Sequence, residues 1–245
     1  MTNLKILLYD LETSLNKGYF FDVWETNISP ENLISEQIIH CISYRWYGSK
    51  KIHTISVLDD PKRFKKNPID DTYVLREFRK VILQADAIVA HNGNSFDIKM
   101  LNGRILLSGN KPIPEIKSYD TYRIAKKYFK LNFNSLDYLS RKFGYKGKMN
   151  NPKGLWRACI EGNVKALEHM ERYNRQDIEA LTYVFEYLMP FVKMPIAKDA
   201  ICQNPICNSK RLLWEGERAG FHRFSCKDCG NYGKIKLKKQ TKNPR

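Results

Sequence analysis

Residues 87–97 read AIVA-HNGNSFD, a four-residue apolar run followed at once by a His, two Asn, a Phe and an Asp. The run has the length and composition of a short buried strand. Asp97 then opens a stretch, 96–107, that reads as a helix, and an acid at a helix start is favoured by the helix dipole. Taken alone, the segment gives only a strand, a polar connection and a helix. In open mixed α/β sheets, however, ligands gather at the ends of strands, and that is where His91–Asn92 and Asp97 fall. His91 by itself reads as a hydrogen-bonding residue rather than a ligand.

Outward from this segment, 4–9 (LKILLY) reads as a strand that ends on Asp10. Segments 37–47 and 51–58 read as two strands joined by GSK in a hairpin. Residues 70–84 place Val74, Leu75, Phe78 and Ile82 at helical spacing behind an Asp70–Asp71 start. A short strand near 116–119 leads into a helix from Asp120 to about Phe129, and 135–144 is a helix stopped by Gly144. The stretch 144–154 is a Gly/Lys/Asn loop, and a long helix spans 164–188. Strands first, then strands alternating with helices, predict an α/β fold with a mixed sheet flanked by helices.

Asp10 and Glu12 stand two apart at the end of the first strand, so alternation points both carboxylates to one face. Like charges so placed repel, and a hard divalent cation with a preference for carboxylate oxygen, Mg²⁺ or Mn²⁺, relieves that cost. Considered alone, the pair is better accounted for by a solvated turn. Tyr173 and Asp177 in YNRQD share a helix face at i,i+4, again unremarked in isolation. What gives these residues weight is their combination: acids on three separate elements that only a sheet brings together.

That combination, DLE at 10–12, HNGNSFD at 91–97 and YNRQD at 173–177, resembles the three ordered motifs of the DEDD superfamily of 3′→5′ exonucleases. The second block is similar to the N-x-x-x-F-D form in proofreading domains of family B DNA polymerases. The Tyr four before the last Asp marks the DEDDy branch. The resemblance implies a ribonuclease H-like fold over 1–190 and a site with two Mg²⁺ or Mn²⁺ ions. It implies that Asp10, Glu12 and Asp177 hold the ion that activates water, with Asp10 bridging to a second ion supported by Asp97. Tyr173 would orient the water, and Asn92 and Phe96 would lie near the terminal nucleotide, Phe96 against a base or packed under its helix. The products would be nucleoside 5′-monophosphates. No polymerase motif follows residue 190, so a proofreading role would need a partner.

The last 46 residues hold Cys202-x4-Cys207 and Cys226-x2-Cys229 with 18 residues between the pairs. Two short-spaced pairs at this separation predict one structural Zn²⁺ in a four-cysteine zinc ribbon, although the four-residue first gap departs from the usual two. His222 is a spare ligand. The intervening sequence reads as two strands around EGERAG. We expect a linker at 191–200, the ribbon at 201–239 and a basic tail at 240–245. Cys41 and Cys159 stand alone among apolar neighbours and read as small buried residues.

The chain carries 42 Lys and Arg against 26 Asp and Glu, a net charge of +16. Such a surplus suits a polyanionic partner, nucleic acid first among them, although a generic basic surface is the plain alternative. From residue 200 onward, eleven Lys or Arg face three Asp or Glu, so half of the surplus lies in less than a fifth of the chain. Trp214, Phe221, Phe224 and Tyr232 interleave with those charges, a composition suited to single strands, while zinc ribbons also bind proteins. Arg123, Lys126, Lys127 and Lys130 make a basic helix face, and 61–68 and 144–154 add charge. No apolar run approaches the ~20 residues of a membrane span, and the N-terminus lacks a signal-peptide layout. An intracellular protein, cytoplasmic or nucleoid-associated, is expected. The functional expectation is a 3′→5′ exonuclease on single-stranded nucleic acid, DNA favoured. RNA-directed chemistry of the same kind, a non-catalytic binding protein and a structure-dependent endonuclease are the rivals.

Overall fold

Strand β1 (Ile6–Thr13) sets the architecture because its side chains divide between two layers. Leu7, Tyr9 and Leu11 enter one apolar cluster with Val74, Leu75, Phe78 and Leu101, whereas Ile6 and Leu8 enter another with Ile178, Leu181 and Phe185. A strand buried on both faces must lie in the middle of a sheet covered on both sides. The computed structural model describes residues 4–22, 24, 27–147, 149–197 and 201–236.

After β1 come β2 (Lys17–Gly18), β3 (Leu33–Ser35), β4 (Ile39–Trp46), β5 (His53–Ser56), α1 (Pro61–Lys66), α2 (Thr72–Ile82), β6 (Ala87–Ala90), α3 (Asp97–Leu107) and β7 (Lys117–Asp120). Next are α4 (Thr121–Tyr128), α5 (Leu136–Lys142), α6 (Leu155–Ile160), α7 (Val164–Tyr187), β8 (Lys193–Ala197), β9 (Leu212–Arg218), β10 (Phe221–Cys226) and β11 (Tyr232–Lys236). The main sheet has the order β5-β4-β1-β6-β7. Strand β4 is antiparallel to both β5 and β1, whereas β6 and β7 run parallel to β1. The mixed sheet flanked by helices is therefore present, with the 37–58 hairpin as its antiparallel half.

Helix α2 buries the four residues its spacing indicated, Val74, Leu75, Phe78 and Ile82, on the sheet. Asp71, just before it, is also buried: both its oxygens accept from Arg104, at 2.9 Å each, and Oδ2 also accepts from the Ile39 N–H. Burying this pair is tolerable because every charge has hydrogen-bond partners. Two short helices escaped the sequence reading. In α1, read as an exposed basic stretch, the Asp60 side chain caps the helix through the Arg63 N–H. The second, α6, buries only Leu155 and Cys159.

The cysteine-bearing segment folds on its own four-stranded sheet, β8-β11-β10-β9. Part of the stretch read as a linker, Lys193–Ala197, is strand β8, which pairs in parallel with β11. Only a distant partner creates that strand, so local sequence carries no trace of it. The turn between β9 and β10 is tighter than EGERAG suggested: β9 runs to Arg218, leaving Ala219 (φ 53°) and Gly220 (φ 77°) at its tip. Phe224, grouped above with the substrate-facing aromatics, is instead fully buried, and a Cβ on Gly233 would collide with its ring. Glycine there is what lets the phenyl ring lie flat against the neighbouring strand. Leu237 and the 240–245 tail lie outside the described residues.

Candidate metal centre and its surroundings

The alternation that sends Ile6 and Leu8 toward α7 continues past the apolar part of β1 and sends Asp10 and Glu12 the same way. Helix α7 crosses this face. Its Asp177 brings a carboxylate oxygen to the pair, so that one oxygen from each of Asp10, Glu12 and Asp177 lies within 4.8 Å of the others. Tyr173, one turn earlier, hydrogen-bonds Asp177 through its side chain. Asn174, fully buried, donates from Nδ2 to Asp10 Oδ2 at 2.7 Å. The Asn174 Oδ1 in turn lies 3.8 Å from the Cys41 thiol.

Asp97 arrives from the opposite layer. Strand β6 pairs with β1 only as far as Leu8↔Val89 and ends at Ala90, so β1 outruns its neighbour. The Leu11 N–H beyond that point donates to the Asp97 carboxylate, as does the N–H of Asp97 itself. Asp97 is buried, and its charge bears on both Asp10 and Glu12. It stands beside the cluster of three rather than within it.

The connection 91–96 is held by a residue that the sequence reading used only as the start of a helix. Asp120, at the end of β7, is buried. Its oxygens accept the N–H groups of Asn92 at 3.0 Å and Asn94 at 3.2 Å, and Oδ1 also caps α4 through the Arg123 N–H. Asn92 sits at φ 61°, in the left-handed region that Asn tolerates better than most residues. A Cβ on Gly93 would collide with the Ala90 Cβ, so the turn from β6 toward Asp97 closes only with glycine there. His91 is a hydrogen-bonding residue: its Nδ1 lies 2.9 Å from Thr121 Oγ1, and the ring also meets the Asn134 backbone. Phe96 remains 43% exposed beside Asp97 instead of packing under α3.

This crowd of carboxylates titrates abnormally. Burial first, then the charges of Asp97, Asp177 and Glu12, holds Asp10 well above the usual carboxylate range, against the opposing hydrogen bond from Asn174. Burial, then Asp177 and Asp97, pushes Glu12 up to about 8. Burial pushes Asp97 up to about 7, although its two backbone N–H donors pull the other way. The Tyr173 hydroxyl is raised by burial and then by the charges of Asp177 and Glu12. Among the described residues, the neutral side-chain donor on Asp10 is Asn174, so protons or a cation must balance the group. Hard divalent cations with oxygen ligands fit this donor set.

In the small sheet, the four sulfurs of Cys202, Cys207, Cys226 and Cys229 also lie within 4.8 Å of one another. Cys202–Cys229 and Cys207–Cys226 are separated by 3.5 and 3.7 Å. Those spacings match the edge of a tetrahedron with metal–sulfur distances of about 2.3 Å, and are far too long for disulfides. Burial pushes the Cys207 thiol up to about 11 and Cys202 higher still. At Cys226 burial also acts upward, yet the N–H groups of Cys229 and Asp228 bring the thiol below its ordinary value. The longer first gap is spanned by Asn204, whose backbone O and Oδ1 accept the N–H groups of Cys207 and Ile206. His222, the spare ligand, pairs instead with Glu217 at 3.0 Å.

The family model of the RNase H superfamily matches residues 19–189. That span contains the 91–97 and 173–177 segments and begins after Asp10 and Glu12. Among solved structures, the family B DNA polymerase from the hyperthermophilic archaeon Pyrobaculum calidifontis is similar, with a TM-score of 0.57 and 17% identity. The match covers 77% of this chain and 25% of the polymerase, so this chain corresponds to about a quarter of that protein. No curated protein matches. No helix among the described residues is long and apolar enough to cross a membrane.

Proposed function

We propose that this chain, which belongs to the RNase H superfamily, is a divalent-metal-dependent 3′→5′ exonuclease that shortens single-stranded nucleic acid, DNA favoured, to nucleoside 5′-monophosphates. The observation that carries the reading is the convergence of Asp10, Glu12 and Asp177, from two elements far apart in sequence, within 4.8 Å. Asp97 and Tyr173 adjoin them, as the motif resemblance implies for a DEDDy site. The likeness to a family B polymerase agrees with that resemblance at the level of fold.

When bound, two Mg²⁺ or Mn²⁺ ions supply charge stabilisation at the attacking and leaving oxygens of an in-line displacement. Asp10, Glu12 and Asp177 would hold one ion, and Asp10 with Asp97 the second. Asn174 fixes the Asp10 carboxylate through its 2.7 Å bond, which leaves the other Asp10 oxygen for the ions. The Tyr173 hydroxyl, hydrogen-bonded to Asp177 and close to Glu12, would orient the attacking water and help take its proton. Phe96, exposed beside Asp97, offers a ring to the terminal base. Asn92, by contrast, serves the backbone of its turn, and we assign its side chain only a secondary contact.

The ribbon is read as a Zn²⁺-stabilised module that helps hold the substrate. It is docked on the main domain through Asn231, whose Nδ2 donates to Val192 O at 2.9 Å. The exonuclease assignment is tested with 5′-labelled single-stranded DNA and RNA in Mg²⁺ or Mn²⁺. A ladder that shortens from the 3′ end and vanishes in Asp10→Ala is expected. Tight binding without cleavage would instead identify a binding protein on a nuclease fold, and cutting of a circular strand would identify an endonuclease.

A further inference from the structure

At the edge of the main sheet, a cavity of about 220 Å³ lies between β7, α4 and the chain leaving α7. Lys117, Arg123 and Lys127 supply its cations, and Tyr128, Phe191 and Val192 its apolar wall. Its inner end is the 91–96 connection itself: Asn94 and Asp120 line it, and Arg123 Nη2 donates to Ser95 Oγ at 3.1 Å. Its outer end reaches the ribbon, because Val192 O accepts from Asn231 and Lys193 is the register partner of Tyr232.

We infer that this cleft takes one nucleotide of the substrate strand upstream of the scissile 3′ end and passes the strand toward the ribbon, an inference that rests on the exonuclease reading. Charge comes first. Residues 121–136 carry four cations and no acid, while the one carboxylate in the cleft, Asp120, is buried, accepts backbone N–H groups and pairs with Arg123 at 3.7 Å, which leaves Lys117 and Lys127 as the uncompensated cations. The aromatic wall is the second argument. Tyr128 is 40% exposed, and Phe191 backs it with ring centroids 4.9 Å apart, while Phe129 meets Phe191 edge-on at 4.9 Å. A ring so supported is held in place at little entropic cost. Lys127 Nζ lies over it, 5.1 Å from the Tyr128 ring centre, so a base stacks there as that ammonium turns to the adjoining phosphate. Cations beside a stacking ring suit phosphate and base together, and so a single strand. An acidic peptide would use the charges but not the stacking face.

Size agrees. The cavity is smaller than the ~300 Å³ at which drug-sized pockets begin, room for one base with its sugar and not for a duplex. The same chemistry continues on the ribbon. Tyr232, Lys234 and Lys236 alternate onto one face of β11, and the register partner of Lys234 on β10 is Arg223. Lys234 Nζ lies 4.6 Å from the Phe221 ring centre on that face.

The test compares wild type with a Lys117→Gln/Lys127→Gln double variant and with Tyr128→Leu, which keeps the packing on Phe191 but loses the aromatic face. Affinity for a fluorescent single-stranded dodecanucleotide is measured by anisotropy over a salt series, with no divalent metal added. Two lost phosphate contacts should reduce the log–log salt slope by about 1.4, at about 0.7 per contact for single strands. The double variant should bind at least tenfold more weakly at low salt. Tyr128→Leu should bind about fivefold or more weakly with its slope unchanged, since stacking is not ionic. In parallel, hydrolysis of the p-nitrophenyl ester of thymidine 5′-monophosphate with Mn²⁺ reads the acidic centre without any strand phosphate upstream, and both variants should lose far less on it than they lose in oligonucleotide affinity. Wild-type affinity and slope in both variants would overturn the inference, as would an equal loss on the ester, which would move the defect to the centre. If wild type cleaves neither ester nor oligonucleotide, the exonuclease reading fails while the binding series still decides the cleft.

Discussion

Replacing Asp177 by Asn should make the protein more stable and inactive at the same time, and the pH dependence of the gain identifies the cause. Carboxylate oxygens of Asp10, Glu12 and Asp177 lie within 4.8 Å. At that separation a pair of unit charges costs about 3.5 kcal/mol at an effective dielectric of about 20. The full cost is never realised, because Glu12 with its pKa near 8 keeps a proton instead. A carboxyl whose folded pKa is raised holds its proton after the unfolded chain has lost it. Stability is therefore complete below the ordinary value of 4.5 and falls as pH rises toward 8. At about 1.36 kcal/mol per pH unit the window allows at most roughly 5 kcal/mol, shared among the coupled groups.

Removing the Asp177 charge relieves part of that, on the order of 1–3 kcal/mol at pH 8 and close to nothing at pH 5. For a domain of this size each kcal/mol shifts the melting temperature by about 2–4 °C. Thermal melts without added Mg²⁺ or Mn²⁺, and without chelator so that the ribbon keeps its zinc, should place Asp177→Asn about 3–10 °C above wild type at pH 8 and level with it at pH 5. Adding Mn²⁺ should raise the wild-type melting point more at pH 8 than at pH 6, and the variant's hardly at all. A variant that melts at or below wild type at pH 8, or that keeps the full response to metal, would refute the reasoning.

Other perturbations bear on different parts of the molecule. Cys226→Ser should remove stoichiometric zinc, measured by elemental analysis, and unfold the ribbon, because so small a module gains much of its folding free energy from its metal. Asp120→Ala leaves the Asn92 and Asn94 N–H groups without their acceptor. It should cost about 2–4 kcal/mol in urea unfolding and lower kcat with little change in KM, since the loop that aims Asp97 loosens. His40 is fully buried, and burial lowers its pKa from 6.5 to about 4 despite the nearby Asp71 charge. The folded chain thus resists a proton that the unfolded chain accepts, so stability is full above about pH 6.5 and falls by up to roughly 3 kcal/mol toward about pH 4. His40→Leu should flatten that acid slope in urea titrations. Asn174→Leu removes the 2.7 Å donor to Asp10 and should weaken Mn²⁺ binding, seen as a higher metal concentration for half-maximal rate.

The periodic elements of the fold were legible because their signals are local. AIVA is β6, the residues Val74, Leu75, Phe78 and Ile82 form the buried face of α2, and i,i+2 spacing put Asp10 and Glu12 on one side of β1. Asp10, Glu12 and Asp177 lie together in the fold, a grouping that the motif resemblance implied and no local signal carried. What escaped notice depends on partners remote in sequence. Asp120 read as a helix-start acid, and it is one; its second use, clamping a turn 26–28 residues earlier, leaves no local mark. Asn174 sat inside YNRQD unremarked, because its partner Asp10 is 164 residues away. Phe224 looked like its aromatic neighbours until the sheet turned it inward.

The sequence by itself determined which residue types were present for the chemistry and on which periodic elements they rode, since alternation and helical spacing follow from backbone geometry alone. It also determined the pattern of two cysteine pairs and the surplus of positive charge. Only the tertiary structure decided that Asp97 stands next to the other acids, because that depends on β1 outrunning β6 and freeing the Leu11 N–H. It alone decided that β8 belongs to the ribbon sheet, and that Lys117, Lys127, Tyr128 and Phe191 surround a common cleft. Spacing along a chain fixes directions within one element. Distances between elements are set by how their buried faces pack.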